Sequence, residues 1–140
     1  MESSLRILHL EDDPADAELV AATLASAGVQ SVIVRVKTRA EFLVALNQDF
    51  DLVLSDLSLP GFDGVAAQVL AAERRPVLPF VFVSGTMGEE VAIERLNAGA
   101  TDYVLKQRLE RLPTAVRRAL DETRNRRERE RAEAEVRHLN

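Results

Sequence analysis

The chain has no cysteine and no tryptophan, and aromatic residues make up 4% of its 140 positions. Without a thiol there is no disulfide, no thiolate metal site and no cysteine nucleophile. Histidine is nearly as scarce: His9 and His138 are the only two. His9 falls inside an apolar strand pattern, so neither a histidine metal cluster nor a phosphohistidine site is indicated. Glycine-rich phosphate cradles are missing too, since neither G-x-x-x-x-G-K-[ST] nor G-x-G-x-x-G occurs. The start MESSLRILHLEDD has no basic leader followed by an apolar stretch, and no apolar run reaches membrane-spanning length. These absences lead to the expectation of a soluble, cytoplasmic protein with no membrane partner.

Apolar residues make up 46% of the sequence, enough for one packed domain. Charge is unevenly spread. Residues 1–108 carry 9 Lys/Arg against 16 Asp/Glu, and residues 109–140 carry 9 against 7, which together give the net −5. An acidic body argues against a direct nucleic-acid partner, which needs a basic face. Residues 1–120 read as one domain, and residues 121–140 as a charged helical linker or extension of the last helix.

Short β-branched runs alternate with amphipathic segments. LRILHL, SVIVRV, DLVLS, PFVFVS and TDYVLK read as five strands. Asp13 is placed as an N-cap with Pro14 at the first helical position. Leu19, Val20, Thr23, Leu24 and Ala27 are expected to share that helix's inner face, and Gly28 to end it. Thr38 and Glu41 form a capping-box pair opening a second helix, with Phe42, Leu43 and Leu46 inward. Further helices are expected over about residues 64–73, over EEVAIERLNAG, and from the segment after Lys106 to the end. Strands alternating with helices predict a parallel sheet covered on both faces, a three-layer doubly wound α/β fold with an extended C-terminal helix.

In open sheets of this kind, sites form at the carboxyl ends of the strands. Glu11 and Asp12 follow strand one, Asp56 follows strand three, Ser84 and Gly85 end strand four, and Lys106 ends strand five. Each alone has a plain reading as a helix terminus, strand-end cap, turn or surface charge; together they share one rim. At an effective dielectric of about 20, two like charges about 4 Å apart repel by about 4 kcal/mol. Three converging carboxylates therefore call for a compensating cation or a raised pKa, and a hard divalent ion such as Mg²⁺ (or Mn²⁺) suits oxygen donors. Acid cluster, metal, lysine and hydroxyl describe a phosphoryl-transfer site, with an aspartate able to form an acyl phosphate.

The segments ILHLEDDP, DLVLSDLSLPGFDG, FVFVSGT and AGATDYVLK, in this order across about residues 5–120, resemble the receiver domain of two-component response regulators, of the kind attached to sensor or hybrid histidine kinases. The resemblance implies a flavodoxin-like strand order 2-1-3-4-5. It implies Asp56 as phosphoacceptor, and as metal ligands Asp12, Glu11 through water, Asp56, and Ser58 through its backbone carbonyl. Ser84, with Gly85 in its turn, and Lys106 would hold the phosphoryl group, and Tyr103 occupies the aromatic switch position. It further implies a histidine kinase or phosphotransfer domain as partner and at most weak self-phosphorylation and self-dephosphorylation. One position departs: Gln107 stands where the family usually has proline, often after a cis bond. A cis bond before a non-proline residue costs about 3–4 kcal/mol.

Two other classes use related parts. A Mg²⁺-dependent aspartate-nucleophile phosphatase of the haloacid dehalogenase type expects D-x-D after strand one, where this chain has EDD. A flavodoxin-like cofactor binder would place a phosphate loop at the acidic LEDDP. In the tail, Glu122–Arg126, Arg126–Glu130 and Glu133–Arg137 have the spacing of helical ion pairs. Ala132, Val136 and Leu139 resume an apolar seam, readable as a fraying end, a helix leading to a downstream domain, or a homodimer coiled coil.

Overall fold

The computed structural model describes residues 4–85 and 88–139, residues 89, 138 and 139 by their backbone alone. The strands are β1 (Leu5–Leu10), β2 (Ser31–Val36), β3 (Leu52–Ser55), β4 (Phe80–Ser84) and β5 (Asp102–Leu105); the helices are α1 (Pro14–Ser26), α2 (Arg39–Ala45), α3 (Gly64–Arg74), α4 (Glu89–Asn97) and α5 (Leu112–Leu139). All neighbouring strands pair in parallel, in the order β2-β1-β3-β4-β5. This is the doubly wound sheet and the order expected above.

Alternation along each strand builds two cores. Ile7, Leu52, Leu54, Val81, Val83 and Val104 pack against α1 and α5 through Val20, Leu24, Leu112 and Val116. Leu8, Leu10, Val53, Phe80 and Phe82 face α2, α3 and α4 through Phe42, Leu46, Ala67, Ala71 and Ala92. The period of two that sorts these side chains also aims the residues at the strand ends. His9 belongs to the first face. It is fully buried, and neither ring nitrogen finds a hydrogen-bond partner among the described residues.

Caps fix where the helices start. Asp13 Oδ1 accepts from the Ala15 amide at 2.9 Å, Thr38 Oγ1 from the Glu41 amide at 3.1 Å, and Asp63 Oδ1 from the Ala66 amide at 2.7 Å. Glu41 Oε1 accepts from the Lys37 amide at 3.0 Å, closing the box one residue earlier than the standard pairing. Gly28, at φ +78°, follows the end of α1 as expected.

Four details differ from the sequence reading. Leu19 is 53% exposed, so the inner stripe of α1 is narrower and centres on Val20 and Leu24. α4 stops at Asn97, two residues short, because Gly99 turns the chain at φ +114°. The segment after β5 is a 3₁₀ turn, Lys106–Arg111, with Arg108 off helical geometry, and α5 starts at Leu112. Pro113 accounts for this. In a helix begun at Lys106 its ring would clash with the Leu109 carbonyl, whereas in the first turn it fits. None of the three spaced charge pairs on α5 closes into an ion pair. Val136 of the seam is 59% exposed, and the Leu139 side chain lies outside the described residues.

Candidate functional site

Strand ends assemble the site. Glu11 leaves β1 on the side of Ile7 and His9, Asp56 leaves β3 on the side of Leu52 and Leu54, and Lys106 leaves β5 on the side of Val104. All three thus turn toward α1. Glu11, Asp12 and Asp56 can each bring one carboxylate oxygen within 4.8 Å of the others. Glu11 is 1% exposed, Asp56 is 8% exposed, and Asp12 is half-buried.

Lys106 is the cation among them. Its Nζ stands 2.9 Å from Asp56 Oδ2 and 2.7 Å from Glu11 Oε1. It also stands 2.7 Å from Asp16 Oδ2, on the first turn of α1. Burial alone would lower the Lys106 ammonium, but hydrogen bonds to Asp16 and Asp56 and the charge of Glu11 beside it outweigh burial and hold the group above the usual lysine range. Glu11 runs the other way. Burial raises its carboxyl above the usual range, although Lys106 and the Asp13 amide, 3.2 Å from Oε2, act against this. Its contact with Lys106 lacks hydrogen-bond geometry, which leaves a buried carboxylate oxygen without such a bond. Donors that are all hard oxygens, one of them incompletely satisfied, in a pocket where three carboxylates surround one ammonium and a fourth, Asp12, stands beside two of them, fit a divalent cation such as Mg²⁺.

Local backbone shapes the Asp56 end. Its Oδ1 accepts from the Leu57 amide at 2.7 Å and more weakly from the Ser58 amide at 3.4 Å. Gly64 lets α3 begin directly against this turn, with its amide 2.8 Å from the Leu57 carbonyl. Ser58 itself is exposed. Ser84 is buried at the end of β4, in register with Leu105, and a side chain on Gly85 would meet the aliphatic stem of Lys106. Thr86, the last residue of the SGT segment, lies outside the described residues. Tyr103 is the expected residue that stands apart. It is half-buried and packs with the core cluster on the α2–α4 side of the sheet.

Sequence reading missed two participants, Asp16 and Arg35, and took a third, Gln107, only as a departure. Asp16 is an acid in the first turn of α1, a place where acids are common whatever they face. Arg35, on β2, donates from Nη1 to the Glu11 and Asp12 carbonyls at 3.2 and 3.4 Å, bracing the acid pair from behind. Gln107 replaces the family's proline with a trans peptide and a hydrogen bond: its Nε2 donates to the Gly85 carbonyl at 3.0 Å, tying the ends of β5 and β4 together.

Comparison with known proteins agrees with this geometry. A family model described as the response regulator receiver domain matches residues 7–117. The response regulator protein FleR of Pseudomonas aeruginosa is 34% identical over 101 residues, covering 72% of this chain and 21% of FleR. The DNA-binding dual master transcriptional regulator RpaA of Synechocystis is 33% identical over 105 residues, covering 72% of this chain and 42% of that protein. The chain thus spans less than half the length of these curated relatives. Among solved structures, a CheY-like receiver domain protein from Methanospirillum hungatei superposes with a TM-score of 0.76 at 29% identity, covering 89% of this chain and 99% of that one. NtrX from Brucella abortus gives 0.82 at 28% identity, covering 93% and 30%. The match sets aside the haloacid dehalogenase-type phosphatase. Receiver domains are phosphorylatable switch domains of two-component systems and bind Mg²⁺ at an acidic pocket, the chemistry to which the rim of acids around Lys106 is suited. This chain belongs to the response regulator receiver domain family.

Proposed function

We propose that Asp56 accepts a phosphoryl group from a phosphohistidine of a partner histidine kinase or phosphotransfer domain, and that the added charge switches the conformation of the domain. A carboxylate oxygen of Asp56 attacks phosphorus, the P–N bond of the donor breaks with its electron pair left on the imidazole nitrogen, and an acyl phosphate P–O bond forms. Mg²⁺ (or Mn²⁺), held by Glu11, Asp12, Asp56 and the Ser58 carbonyl, supplies charge that offsets the phosphoryl oxygens. Lys106 neutralises those oxygens from the other side, and Ser84 and the Gly85 turn close on them. Slow attack by water returns the free aspartate. The observation that carries this reading is the 2.9 Å contact of Lys106 Nζ with Asp56 Oδ2 inside the acid cluster.

The signal leaves by the surface of α4, β5 and α5, with Ser84 and Tyr103 linking it to the phosphoryl group. Residues 1–120 act as the receiver and residues 121–140 as the connecting helix, to a downstream domain, a hybrid kinase or a second copy. The DNA binding in RpaA's name belongs to that longer protein; the acid excess of residues 1–108 argues against a nucleic-acid partner for the receiver body.

Mg²⁺ titration by calorimetry tests the metal assignment. Asp12→Asn is expected to weaken binding by at least about tenfold, since one carboxylate–cation contact at an effective dielectric of about 20 is worth several kcal/mol. Unchanged affinity would remove Asp12 from the ligand set. Lys106→Ala is expected to accept phosphoryl from acetyl phosphate yet lose most of the backbone NMR shifts that phosphorylation causes along α4 and β5. Shifts of wild-type size would mean that Lys106 does not transmit the switch.

A further inference from the structure

We infer that Asp16 is a positioning residue which competes with the phosphoryl group for Lys106, and so restrains both phosphorylation and the switch that follows. The inference rests on the reading of Asp56 as phosphoacceptor. Three carboxylates surround Nζ, at 2.7, 2.7 and 2.9 Å, and those of Asp16 and Asp56 accept its hydrogen bonds. On phosphorylation the Asp56 contact passes to a phosphoryl oxygen farther out, and Lys106 follows it only by loosening its hold on Glu11 or Asp16. Glu11 is fixed in place: it is 1% exposed and also tied to the Asp13 amide, so water cannot stand in for the ammonium there. Asp16 is the partner that can be released. Its side chain is 36% exposed, so water takes the place of the ammonium. Asp16 also stands on α1 rather than on the sheet, so the exchange frees a helix from a strand end: the Lys106–Asp16 bond spans 90 residues of sequence.

Asp16→Asn is therefore expected to speed phosphorylation by acetyl phosphate at subsaturating donor by about two- to fivefold, the range a partly exposed ion pair supplies. The gain should lie in the donor concentration needed for half-maximal rate. Two controls separate position from charge. Glu18→Gln removes the same charge from the same helix, at an exposed residue with no ion pair among the described residues. Asp16→Asn in a Lys106→Ala background removes the carboxylate when its partner is already gone. Both are expected to leave the rate of their parent unchanged. A gain of equal size in either would overturn the proposal in favour of general electrostatics.

The chain also permits a test that needs no phosphorylation. Lys37 and Lys106 are the only lysines, so ¹³C-lysine labelling gives two Cε–Hε signals. Asp16→Asn is expected to move the Lys106 signal and leave that of Lys37 in place. A Lys106 signal that does not move overturns the pairing outright. Failure of the phosphoacceptor reading would look different: no adduct in any variant, with the lysine spectrum still reporting on Asp16.

Discussion

Gly64→Ala is expected to destabilise the domain by about 3 kcal/mol or more, the upper end for forcing atoms into a packed region, and to weaken Mg²⁺ binding with it. A Cβ at Gly64 would lie 2.2 Å from the Asp56 carbonyl oxygen, 3.0 Å from Leu57 Cα and 3.0 Å from Phe82 Cε1. The nearest obstacle is backbone, so no rotamer change relieves it. Either α3 backs away or the turn after Asp56 moves, and that turn carries the two amides bound to Asp56 Oδ1. Gly61 is the matched comparison. It holds φ +73° in open space, with nothing within 4 Å of an added Cβ. Gly61→Ala should cost only the left-handed backbone penalty, about 1–2 kcal/mol, and leave Mg²⁺ affinity unchanged. Urea unfolding with a parallel Mg²⁺ titration checks both; a Gly64→Ala protein of wild-type stability and affinity would refute the close-packing account.

The second large effect is a loss of stability in acid that originates at His9. Burial, then the nearby Lys106 charge, pulls its imidazole from 6.5 down to about 4. The folded state therefore keeps His9 neutral over a pH range in which the unfolded chain protonates it. Where the unfolded state binds more protons, stability rises with pH. The His9 contribution is thus fully present above about 6.5 and is lost as pH falls toward about 4. Its size is roughly 3 kcal/mol, at 1.36 kcal/mol per unit. Carboxylates add their own pH dependence, so the test is a difference between two proteins. His9→Leu, which also removes two buried nitrogens without partners, is expected to be at least as stable as wild type at pH 7. Between pH 7 and pH 4.5 it should lose roughly 2 kcal/mol less. Identical slopes for the two proteins would mean that His9 titrates normally.

These two residues also show where a sequence stops being legible. The strands, the caps at Asp13 and Thr38 and the rim of Glu11, Asp12, Asp56, Ser84 and Lys106 follow from alternation, capping chemistry and the rule that sites gather at strand ends. Those are local signals with a fixed period. Gly64 carries no such signal: the need for a bare Cα at the start of α3 comes from an Asp56 carbonyl that only the fold brings near. Asp16 was hidden by a good alternative explanation, since an acid in the first turn of a helix is favoured by the dipole whatever it faces. Leu19 was misplaced because it sits about 100° around the helix from Val20, at the margin of the buried stripe. The start of α5 was legible after all, in Pro113, but the apolar spacing running back to Leu109 concealed it.

The central claim is that Asp56 takes a phosphoryl group with the help of a divalent cation. Intact mass of the full chain after incubation with acetyl phosphate, with and without Mg²⁺, for wild type and Asp56→Asn, tests it most directly. A single phosphoryl adduct is expected on wild type, requiring Mg²⁺ and absent from Asp56→Asn. An adduct that persists in Asp56→Asn, or none on a folded wild-type protein shown to bind Mg²⁺, would contradict it.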